Sequence, residues 1–75
     1  MQTKFRRHQK VRLLVNPDQE YIEYRSDEEV PIKKGMTGMV NVILPNGQYH
    51  VAIFDEEGNV IAYVPLSEDD IEAIE

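Results

Sequence analysis

Residues 39–54 read MVNVILPNGQYHVAIF, and this stretch decides the fold. Two runs of alternating side chains, Met39 to Leu44 and Tyr49 to Phe54, flank Pro45-Asn46-Gly47. Asn-Gly is the strongest short hairpin signal, because a type I′ turn needs positive φ at both central residues. With Asn46-Gly47 as a two-residue loop, Leu44 faces Tyr49, Val42 faces Val51 and Val40 faces Ile53. All six then lie on one side, and His50, Ala52 and Phe54 take the other. Turn chemistry and hydrophobic pattern agree on one register.

Downstream, Asp55-Glu56-Glu57-Gly58-Asn59 marks a second hairpin. A four-residue loop would turn Val60, Ala62 and Val64 inward. A three-residue loop with Gly58 in a bulge would reverse that parity. The run Val60 to Leu66 is apolar on both faces and does not decide between them; the reading favoured is Ala62 and Val64 inward. Ser67, followed three residues on by Asp70, starts a short helical turn through a capping box. Ile71 to Ile74 then forms a last short strand.

Upstream, Val11, Leu13 and Val15 alternate with polar or outward positions and make a first strand. Asn16-Pro17-Asp18 ends it, since proline cannot donate to a ladder. Residues 16–34 form a long polar connection holding Tyr21, Ile22 and Tyr24. It is expected to fold over the sheet, with a short hairpin of its own as one possibility, and loops of this length often carry function. Gly35 and Gly38 suit a bend where the next strand opens.

The chain has 75 residues, no cysteine and a net charge of −6. One domain with one core is expected, with neither disulfides nor thiolate-bound metal to staple it. The first ten residues are basic and polar, unlike a secretory leader. The longest apolar run, Val60 to Leu66, is too short to span a membrane. A cytoplasmic location fits the absence of cysteine. Lys4, Arg6, Arg7, Lys10 and Arg12 gather in the first twelve residues, so the rest holds three bases against fourteen acids. The division expected is a basic arm over 1–9 and a folded domain over 10–75.

The order Val11-Arg12-Leu13, long loop, Ile32-Lys33-Lys34-Gly35-Met36-Thr37-Gly38-Met39-Val40, Tyr49-His50-Val51-Ala52-Ile53 and Ala62-Tyr63-Val64-Pro65-Leu66-Ser67-Glu68-Asp69-Asp70-Ile71-Glu72 resembles an SH3-like barrel. It is similar to the electron-transport accessory type, which includes the variable chain of ferredoxin–thioredoxin reductase, one of the small proteins of photosystem I and the barrel of the nitrile hydratase β-chain. It resembles more closely a family of small, stand-alone bacterial proteins of unknown function, whose corresponding loop is shorter. The resemblance implies an all-β, five-stranded antiparallel barrel with a long first loop and a helical turn before the last strand. It carries no catalytic residues, because its motifs are turns and bends.

The expected function is therefore a non-catalytic protein-interaction or accessory module, binding a partner protein or a second copy. The site expected is the 16–34 loop and the adjoining strand face, through Tyr21, Tyr24, His50, Phe54, Ile61 and Tyr63, with Met39 and Ile43 completing an outer patch. The bland alternative is that Tyr21, Ile22 and Tyr24 cover that patch. A nucleic-acid site would use Lys4, Arg6, Arg7, Lys10, Arg12, Lys33 and Lys34, but the acid excess repels phosphate over most of the surface. An auxiliary subunit of a redox or metalloenzyme rests on the resemblance alone. No catalytic, cofactor or metal site is expected. The acid runs Asp27-Glu28-Glu29, Asp55-Glu56-Glu57 and Glu68-Asp69-Asp70 read as solvated turns without calcium-loop spacing.

Overall fold

A computed structural model describes residues 4–74; Met1 to Thr3 of the expected basic arm, and Glu75, lie outside the described residues. The chain is all-β. Its strands are β1 (Lys10–Leu13), β2 (Glu23–Tyr24), β3 (Thr37–Ile43), β4 (Gln48–Phe54), β5 (Val60–Ser67) and β6 (Ile71–Ala73). They form one antiparallel sheet in the order β2-β5-β4-β3-β1-β6. The five-stranded closed barrel is thereby corrected. The extra strand comes from the long loop, where Glu23 and Tyr24 pair with Tyr63 and Ala62, and β2 and β6 remain separate edges.

With no second layer among the described residues, the sheet must curl around its own inner face to bury a core. Register shows how. Directly paired residues point to the same side, and Val40, Val51 and Val64 form one row, each fully buried. Val11, Gly38, Ile53 and Ala62 form the next. Leu13 with Ile71, and Tyr49 with Leu66, extend the buried face at either side. Gly38 is in this row because the sheet bends tightly there. A Cβ at that position would run into the Ala52 carbonyl oxygen and lie 3.1 Å from Val51 Cγ1.

Both hairpins use the same device. Gly47 N–H donates to the Leu44 carbonyl at 3.3 Å, Leu44 N–H donates to the Gln48 carbonyl at 2.8 Å, and Gly47 has φ +83°. The loop is thus the three residues Pro45-Asn46-Gly47, a type I turn closed by a left-handed glycine, and not the two-residue type I′ turn expected. Proline at the first loop position favours this form, because its fixed φ suits a type I turn and excludes the positive φ of type I′. Ile43 therefore faces Tyr49 and packs against the core, which removes it from the expected outer patch. Leu44 faces outside the Tyr49 pair and is only half-buried.

A bulge then corrects the parity. Asn41 is an extra residue between the Val40–Val51 and Val42–His50 pairs. Val40 stays in the core, while Val42 turns outward and is 42% exposed, against the expectation that it was buried. The second hairpin repeats the pattern, with Gly58 at φ +86° closing a three-residue loop and Ile61 as the extra residue between the Phe54–Val60 and Ile53–Ala62 pairs. Ala62 and Val64 point inward as expected, by a loop and a bulge that offset each other.

Two core residues came from segments read as polar: Phe5, in the basic arm, is 4% exposed, and Ile32 closes the long loop onto the core. Ala52, on the outer row, is also buried. Val15 packs half-buried against the core, and Ile74 is also only half-buried. The capping box forms, with the Asp70 carboxylate accepting from both the N–H and the hydroxyl of Ser67. Pro65 lies on β5 beyond the reach of β2, which blunts an otherwise open edge.

Candidate functional site

At one end of the sheet β3 begins, β4 ends and β5 begins, so three segments with different chemistry converge. Thr37 and Phe54 lie on the outer face of that end. Ile61 is tilted toward it by its bulge. The long loop returns alongside through Val30, anchored by the buried Ile32. The turn at Gly35 and Met36 is clipped to β1, where Gly35 N–H donates to the Leu13 carbonyl and Leu13 N–H to the Met36 carbonyl, both at 2.9 Å. Together these enclose an open groove of about 630 Å³, lined by Val30, Met36, Thr37, Phe54 and Ile61 and by the acids Asp55, Glu56 and Glu57.

The acids are not equivalent. Asp55 Oδ1 accepts from the backbone N–H groups of Glu57 and Asn59, both at 2.9 Å, so its carboxylate builds the loop. Glu56 and Glu57 are exposed at the rim, and no ion pair joins either to another described residue. No basic side chain lines the groove. Met36 adds a flexible, polarisable wall.

The six residues expected to bind a partner do not form one patch. Phe54 and Ile61 belong to the groove. His50 and Tyr63 stack on the outer face, with ring centroids 5.2 Å apart and planes 8° from parallel. Asn41 holds the His50 ring from the bulge, with Nδ2 3.2 Å from Nδ1. Tyr24 pairs with Ala62 and packs against the core, its hydroxyl donating to Gln19 Oε1 at 3.2 Å. Tyr21 stands in a single 3-10 turn and is 60% exposed. The expected cover over the outer patch is not what forms: Ile22 and Tyr24 join the inner core instead. Sequence reasoning missed Val30 and Met36, which read as parts of a connection.

Lys4, Arg6, Arg7, Lys10, Arg12, Lys33 and Lys34 are all exposed. They are strung along β1 and divided between its two ends: residues 8 and 9 bond to Val40 at its start, and Lys34 N–H donates to Asn16 Oδ1 beyond its finish. Glu72 interrupts the series by pairing with Arg12 at 3.3 Å. Lys4 lies over the Phe5 ring, 5.5 Å from its centroid. Among the described residues no three His, Asp or Glu side chains gather as a metal site, and no helix is long and apolar enough to cross a membrane. Comparison with protein-family models, with curated proteins and with solved structures finds no match to this chain.

Proposed function

We propose that this chain is a protein-interaction module whose binding site is the groove between the end of the 16–34 loop and the β4–β5 hairpin. One observation carries the reading: four apolar side chains, Val30, Met36, Phe54 and Ile61, converge on one open concavity, whereas the exposed apolar residues Leu14, Tyr21 and Val42 stand outside it. The SH3-like architecture suggested by the sequence cadence belongs to the same proposal, because a curled sheet acts through its loops and ends.

The test is affinity purification with the immobilised chain, followed by titration of the purified partner. Val30→Lys places a charge in the groove at a residue outside the core cluster. It is expected to weaken binding at least about tenfold, the cost of burying a charge without a partner, with an unchanged circular dichroism spectrum. Tyr63→Lys, on the outer face, is expected to bind as the wild type does. The reverse pattern would move the site to the His50–Tyr63 face.

A further inference from the structure

Resting on the groove as the binding site, we infer that its occupant is an extended segment of another protein in which apolar side chains alternate with lysine or arginine. The floor supplies the first half of this. Phe54, Ile61, Val30 and Met36 are each half-buried, so an apolar side chain laid against them removes surface from water on both partners. The rim supplies the second half. Glu56 and Glu57 project beside that floor without a cation among the described residues, and the groove holds no base of its own. An acidic segment would add like charge to a hairpin with three consecutive carboxylates. A basic one places its charges where the field already favours them, which speeds encounter and fixes register.

The chain contains two runs of matching composition, Lys4-Phe5-Arg6-Arg7 and Lys10-Val11-Arg12-Leu13. A second copy cannot offer either without opening its own core, because Phe5 is 4% exposed and packed on Tyr49, and Val11 and Leu13 are buried in β1. The occupant is therefore assigned to a different protein. An extended conformation suits the site because alternate residues of a strand project to opposite sides, one set into the groove and the other free to reach the rim. Phosphate chains are excluded by the same carboxylates.

The test uses three capped hexapeptides and the ¹⁵N-labelled chain, read by amide chemical shifts. One alternates lysine with leucine, one alternates glutamate with leucine and one alternates lysine with serine. The lysine–leucine peptide is expected to shift Met36, Thr37, Glu56, Glu57 and Ile61 saturably. The paired variant Glu56→Gln with Glu57→Gln is expected to bind it about fivefold more weakly, in keeping with exposed ion pairs. If the glutamate–leucine peptide binds the groove equally well, the inferred charge is wrong and the groove stands. Equal binding of the lysine–serine peptide would refute the apolar anchor. If no peptide moves the groove amides, the groove reading fails too. Dimerisation through this end, seen by sedimentation, would replace the foreign segment with a second copy.

Discussion

The Phe5 ring meets the Tyr49 ring edge-on, 5.4 Å between centroids and 79° between planes, while the Phe5 N–H donates to the Tyr49 hydroxyl at 3.2 Å. A segment whose charges suggest a solvated arm thus seals one side of the core. Phe5→Ala is expected to cost about 3–5 kcal/mol, the usual range for a buried phenylalanine. Alanine at Arg6 or Arg7 should stay within about 0.5 kcal/mol. Urea denaturation separates the two, and a loss below about 1 kcal/mol for Phe5→Ala would return the segment to the solvent.

Gly38 and Gly47 are required for different reasons, and two substitutions tell them apart. Gly47 has open space around it and a left-handed φ, so Gly47→Val should cost upward of about 1 kcal/mol through the backbone alone. At Gly38 the obstacle is steric, because the Ala52 carbonyl is backbone and cannot step aside. Gly38→Ala is expected to cost about 1–3 kcal/mol, as overpacking does, although it adds only one methyl group. A neutral Gly38→Ala would mean that the sheet bends elsewhere.

The Asn41 bulge makes Val40 and Val42 inequivalent despite their alternation. Val42→Thr should change stability by less than about 0.5 kcal/mol, as exposed positions do. Val40→Ala should cost about 2 kcal/mol, from two lost methylene equivalents and the cavity they leave. Equal effects in thermal melts would remove the bulge and restore a simple two-residue hairpin.

Arg12 and Glu72 are paired at 3.3 Å, yet each side chain is nearly half exposed. Glu72→Gln is expected to cost less than about 1 kcal/mol, with the difference fading in salt. A larger loss would show that the β1–β6 edge is held by charge and not by Leu13 and Ile71.

Nucleic acid offers a direct contrast with a protein partner. The chain is expected to show no saturable binding to single-stranded RNA or duplex DNA at low salt in a fluorescence titration, because its bases are divided along β1. Saturable binding that weakens steeply with salt and is lost on neutralising Lys33 and Lys34 would instead favour the basic series.

Much of the β-sheet was legible because inward residues announced themselves by type: Val11, Leu13, Val40, Tyr49, Val51, Ile53, Ala62, Val64, Leu66 and Ile71 are all buried. The register was not. Asn41 sits between two valines, so an extra residue there leaves the alternation looking unbroken. Ile61 is hidden likewise in a run that is apolar throughout. Phe5 stands among Lys4, Arg6 and Arg7, whose charges dominate any local average. Of the site, Phe54 and Ile61 could be picked out as apolar residues near a turn. Val30 and Met36 could not, because only the return of the long loop past the hairpin brings them there.

The pairing of β1 with β6 joins Val11 to Ala73, nearly the whole described chain apart. During synthesis β3, β4 and β5 can assemble as each leaves the ribosome, since their contacts are between sequence neighbours. Leu13 must wait for Ile71. Until that residue emerges, β1 has β3 on one flank and nothing on the other, so the first strand is completed only by a segment made after the whole meander.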